Sequence, residues 1–126
     1  TPWRSLKTKG SERCIPLIGV ALWAARRIVE NSIESKLAFP KYCNKVACNA
    51  NSASNELNKW LNQTIPKRVV IHSFRHSLRD RLRAVECPTE VVDAIGGWQV
   101  ASAGQKYGNG YSHKVLMTWL TKIGLD

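Results

Sequence analysis

HSFRHSLRDRLRAVECPTEVVDAIGGW, residues 72–98, carries the clearest structural signal in this chain. Phe74, Leu78, Leu82 and Val85 recur at helical spacing and predict an amphipathic helix over His72–Val85. His72, Arg75, His76, Arg79 and Arg83 line a different face of that helix at spacings of three and four. Pro88 suits the first position of a second helix, TEVVDAI, and Gly96 and Gly97 suit its C-terminal stop.

Further helices are expected on either side. From Val20 to about Asn31 the spacing puts Leu22, Ala25, Ile28 and Val29 on one face, with Arg26, Arg27 and Glu30 away from it. Residues 40–54 have weak periodicity and many small polar residues, and read as a loop. Ser52 or Ser54 then caps a helix to about Gln63, with Leu57, Trp60 and Leu61 on its buried stripe. Pro66 ends that region. A last amphipathic helix is expected from about His113 to Ile123, with Val115, Leu116, Trp119, Leu120 and Ile123 as its apolar face. Residues 1–17 read as two short strands around TKGSE, with Gly10 as pivot and RCIPL resuming an extended run. The expected fold is mainly α, with a small antiparallel β-hairpin near the N-terminus.

The chain has 126 residues, the size of one compact domain. Its 44% hydrophobic content supports a core. No apolar run approaches a membrane span, and there is no signal-peptide pattern. The opening TPWRSLKTKG lacks an initiator methionine and reads as cut from something longer. The formal net charge of +10 favours a polyanion partner, nucleic acid above all. The basic residues are spread along the chain, from Lys7, Lys9 and Arg13 through Lys67 and Arg68 to Arg83, which fits a folded basic surface rather than a tail. Reduced thiols are the default expectation for Cys14, Cys43, Cys48 and Cys87.

HSFRH sets His72, Arg75 and His76 side by side on one helical turn. A guanidinium flanked by two imidazoles can hold a phosphate and move a proton. Alone the motif is weak evidence, because a solvated basic face is the usual fate of such a cluster. Arg79 and Arg83 divide evenly between phosphate contact and solvation, and His76 reads as structural more readily than catalytic. A metal-binding alternative joins Cys43 and Cys48 to His72 and His76, but the long Cys-to-His gap suits a zinc site poorly.

The order of motifs adds specificity. A lysine-bearing turn precedes RCIPL; HxxRH follows, then a short helix, then IGGW, then Tyr107 nine residues past Trp98. This order resembles the C-terminal catalytic domain of the tyrosine recombinases, the phage integrase family, across nearly the whole chain. The resemblance implies catalytic roles for His72, Arg75, Trp98 and the nucleophile Tyr107. It implies a hairpin lysine, either Lys7 or Lys9. DNA contacts are expected from Arg79, Arg83, Lys67, Arg68 and His76. It also implies double-stranded DNA as partner, no cofactor, no membrane, a cytoplasmic, nucleoid-associated setting and self-association through the C-terminal helix within a tetrameric synapse. A related reading, a type IB topoisomerase fragment, is disfavoured by the GGW-to-tyrosine arrangement and the LKTKGSERCIPL segment.

The implied chemistry is coherent. A phenol attacks a phosphodiester while arginine and hydrogen-bond donors neutralise charge on the transition-state oxygens. Tyrosine is a poor nucleophile at its ordinary pKa of about 10, so a neighbouring cation or base is needed. One departure stands out. The family's first arginine lies in a segment like TGxRxxE upstream of the hairpin lysine, and residues 1–17 hold no replacement, since Arg4 and Arg13 stand in a different context. The expectation is therefore a fragment with little activity by itself, or a DNA-binding remnant without catalysis.

Overall fold

The computed structural model describes residue 6 and residues 11–31, 37–98 and 110–124. Five helices carry the described chain: α1 Gly19–Asn31, α2 Ala50–Thr64, α3 Ser73–Ala84, α4 Thr89–Gly96 and α5 His113–Ile123. The protein is mainly helical, as its apolar spacing predicts. It divides into two compact units, residues 1–5 with 25–76 and residues 6–24 with 77–126. Helices α1 and α3 each begin in one unit and end in the other.

The second unit holds the main core. Leu82 of α3, Cys87, Val91, Val92 and Ile95 of α4, and Leu116, Leu120 and Ile123 of α5 form one buried cluster. Ile15, Ile18, Leu78, Val85, Trp98 and Trp119 pack around it. Leu116, Leu120 and Ile123 of the predicted α5 face are thus buried in its own unit, Trp119 packs at the edge, and Val115 is exposed. Helix α4 has only eight residues, and Val91, Val92, Asp93, Ile95 and Gly96 are all buried. A helix this short is not stable in isolation, so its burial is what holds it.

The helix ends follow local chemistry. Ser112 caps α5 by accepting from the Val115 N–H. Gly97 closes α4 in the left-handed conformation at φ 64°, where a side chain would be strained. Helix α3 ends through Glu86 at φ 59°, a non-glycine residue in the same region, with the Cys87 N–H returning to the Leu82 carbonyl. Helix α2 is capped by Asn49, which accepts from the Ser52 N–H, so neither Ser52 nor Ser54 takes that role.

Two sequence expectations change in the first unit. Of the predicted α2 stripe only Leu61 is buried; Leu57 and Trp60 are 43% and 59% exposed. Hydrogen bonds decide which face is covered. The Asn62 side chain donates to the Val69 carbonyl and Asn58 accepts from the Ile71 N–H, tying residues 69–71 along α2. Phe74, placed on the α3 stripe, is likewise 59% exposed.

The expected N-terminal hairpin does not form among the described residues. Residues 11–17 carry no strand, while residues 1–5 and 7–10, including the first three residues of the proposed turn, lie outside the described set. Pro16 removes a ladder donor, and Ile15 and Ile18 instead pack against the helical core. The one β-pairing described is an isolated antiparallel bridge between Cys43 and Cys48. These two cysteines are joined by a disulfide, whereas reduced thiols were expected. Cys14 and Cys87 are free, the former exposed and the latter buried. Burial pushes the Cys87 thiol above its ordinary pKa. Thiol titration of the denatured, non-reduced chain is expected to find the two free cysteines alone. Reaction of all four would show that the Cys43–Cys48 bridge is absent.

Candidate functional site

The predicted basic face begins where segment 69–72 turns into α3. The Ser73 hydroxyl accepts from the Val70 N–H, and the Ser73 and Phe74 N–H groups return to the Val70 and Ile71 carbonyls. These bonds start the helix one residue after His72. There is no acidic residue in its first turn, so nothing there opposes an anion. His72 and His76 are exposed, with ring centroids 5.2 Å apart and edge to face. Arg75, between them in sequence, is half-buried. Lys67 and Arg68 are exposed in the segment that Asn58 and Asn62 hold against α2.

Further along α3 the arginines separate by environment. Arg83 is exposed and faces Asp80 at 3.9 Å, a pair worth little at such exposure. Arg79 turns inward. Its Nη2 lies 3.5 Å from Oδ1 of Asp93 on α4, and its guanidinium sits 4.9 Å from the centroid of the Trp98 ring. Asp93 is the one buried charged residue among those described. The Arg79 Nε and Asp93 Oδ1 atoms are shielded from solvent without a hydrogen bond.

Trp98 follows the glycine stop directly. Its N–H donates to the Asp93 carbonyl at 3.1 Å. Its ring lies over Gly96, where an added methyl group would overlap it. Arg13 completes this corner from the other side of the sequence: its Nε donates to the Ile95 carbonyl and its Nη2 to the Gly96 carbonyl, both at 3.2 Å. Those carbonyls end α4, where the helix dipole favours a cation. A side chain at Gly97 would run into that guanidinium. Arg81 plays the matching part for α5, donating to the Ile123 carbonyl.

Lys7, Lys9 and Tyr107 lie outside the described residues. Tyr111, the other tyrosine of KYGNGY, stands just ahead of α5. Its hydroxyl donates to Glu90 Oε2 at 2.7 Å. That hydrogen bond, first among the causes, holds the phenol above its ordinary pKa. This is the opposite of the tuning a nucleophilic tyrosine needs. The cysteine–histidine alternative is not assembled. Cys43 and Cys48 are bonded to each other. Among the described residues no group of three or more His, Cys, Asp or Glu side chains comes together. No described helix is long and apolar enough to cross a membrane.

Compared with family models, curated proteins and solved structures, the chain matches none.

Sequence reasoning missed Arg13 and Asp93. A signal for Asp93 was present: an acid set inside the apolar run VVDAI is either misplaced or paired, and buried charges need partners. Arg13 carried no such signal, because its partners are backbone carbonyls more than eighty residues away.

Gly96→Ala is expected to cost about 1–3 kcal/mol by overpacking against Trp98, read from the denaturant midpoint; an unchanged midpoint would refute the close approach. For Tyr111 the sign follows from its raised pKa. The neutral phenol is the donor, so its contribution is complete below the ordinary tyrosine value of about 10 and fades as pH rises through the elevated one. Ultraviolet titration of the chain minus that of Tyr111→Phe is expected to show a tyrosine ionising above that value. A midpoint at or below it would contradict the Glu90 bond.

Proposed function

We propose that this chain is part of a tyrosine-recombinase catalytic domain, breaking and rejoining DNA through a 3′-phosphotyrosine. The observation that carries the reading is the ordered set His72-x-x-Arg75, the glycine stop, Trp98, and Tyr107 nine residues on. It is supported by the local structure at the start of α3. There His72, Arg75 and His76 follow one another on a helical turn whose own first residues include no acid. The net charge of +10 supports a DNA partner.

In this reading the Tyr107 oxygen attacks the scissile phosphorus while His72 accepts its proton. The bond from phosphorus to the 5′ oxygen breaks, and Lys7 or Lys9 protonates that oxygen as it leaves. Arg75 neutralises charge on the non-bridging oxygens, and Trp98 bonds to or packs against the phosphate. Attack by a 5′ hydroxyl on the phosphotyrosine reverses the sequence and rejoins the strand. The bond energy is kept, so no ATP is consumed. Lys67, Arg68, His76 and Arg83 are proposed contacts to the DNA backbone. A nucleoid setting, with assembly of several copies on DNA, belongs to the same proposal. The second reading is a DNA-binding module without catalysis, which the net charge of +10 supports equally.

Duplex binding measured against salt tests the partner. A plot of log affinity against log salt is expected to be steep, losing about one unit of slope for each phosphate contact removed. A nicked duplex that traps the covalent product, followed by peptide mapping, tests the chemistry. Label on Tyr107 supports the recombinase reading. DNA binding with no adduct supports the second reading, label on Tyr111 refutes the assignment of the nucleophile, and failure to bind DNA refutes both.

A further inference from the structure

We propose that Arg79 and Asp93 are positioning residues for the Trp98 indole, and that Arg79 is not among the DNA-phosphate contacts. The inference rests on the reading of Trp98 as a group at the scissile phosphate. An indole that serves there must be held in one orientation, because a small misplacement of a reacting or contacting group costs rate. Trp98 leaves α4 just after a left-handed glycine, a point where the backbone alone would allow many directions for the ring.

Contacts to the backbone and to the ring restrict it. The Trp98 backbone N–H is bound to the Asp93 carbonyl, while the ring lies against Gly96, packs on the buried cluster and has the Arg79 guanidinium over it at 4.9 Å. Asp93 therefore acts on the same tryptophan twice, through its backbone carbonyl and through the arginine its carboxylate holds. A free arginine has several rotatable bonds and loses entropy when it stacks. The Asp93 side chain, 11% exposed, restrains that arginine at 3.5 Å.

The geometry also removes Arg79 from phosphate recognition. Arginine grips a phosphate best with two N–H groups along one edge. Here Nε is shielded from solvent and Nη2 is turned to Asp93, so the Nε–Nη2 edge faces the protein. Spacing along α3 left Arg79 and Arg83 equally divided between phosphate contact and solvation. Their environments make Arg79 the structural one.

The test has two arms. In the first, the indole N–H resonance of Trp98 is identified by its loss in Trp98→Phe. Arg79→Met and Asp93→Asn are each expected to shift it, the double variant no further than either alone, and Arg79→Lys to restore it in part. In the second, the salt slope of duplex binding is compared between the parent chain, Arg79→Met and Arg75→Met. Arg79→Met is expected to keep the parent slope, while Arg75→Met loses about one unit. An unmoved indole resonance in Arg79→Met, or a slope lowered by about one in that variant, overturns the proposal. If either single variant does not fold, the double variant decides, since it removes the buried acid's charge together with its partner's. If the chain binds no DNA, the recombinase reading fails, and the indole arm still decides whether Arg79 and Asp93 position Trp98.

Discussion

The burial of α4 is the constraint on which the second unit depends. Eight residues cannot sustain a helix in water, yet Val91, Val92 and Ile95 meet Leu82 of α3 and Leu116, Leu120 and Ile123 of α5 in one cluster. Burying a helix of that length leaves its terminal carbonyls and any charge on it in need of partners. Arg13 meets the first need and Arg79 the second. The position of Trp98 then follows, because it leaves the helix at the only point where two glycines let the chain turn and the ring fold back.

Arginine accordingly does two jobs. Counted from composition, every basic residue adds to a surface that would attract DNA. In the folded chain Arg13 and Arg81 fill the carbonyl ends of α4 and α5, and Arg79 pairs with a buried acid. A charge held in this way still contributes to the long-range field, with at least one of its donors turned to the protein. Lys67, Arg68 and Arg83 are exposed, as are His72 and His76 at the start of α3.

The first unit is organised differently. Among its described residues only Leu61 is a buried hydrophobic, and Trp60, Phe74, Val46 and Val29 are all more than half exposed. Order there comes from polar side chains meeting backbone: Asn44 accepting from the Val46 and Ala47 N–H groups, Asn49 capping α2, Asn58 and Asn62 binding the 69–71 segment. Such bonds contribute about 1 kcal/mol each, and they leave no trace in an apolar periodicity. The periodic reading therefore found α2 and its C-terminal end, set its start several residues late because Asn49 rather than Ser52 or Ser54 caps it, and misjudged which of its faces is covered.

The sequence by itself determined the helices. Apolar spacing over His72–Val85 and His113–Ile123, with Pro88 and the Gly96–Gly97 pair as punctuation, located α3, α4 and α5 to within a residue or so, because these signals act between neighbours along the chain. It also brought the candidate set His72, Arg75, Trp98 and Tyr107 into view through order and spacing alone. Only the tertiary structure decided what pairs with what. That Arg13 caps α4, that Asp93 draws Arg79 away from solvent, and that Tyr111 is tied to Glu90 depend on contacts between residues 14 to 83 positions apart. No local pattern encodes such contacts; they exist because burial of α4 brings those residues together.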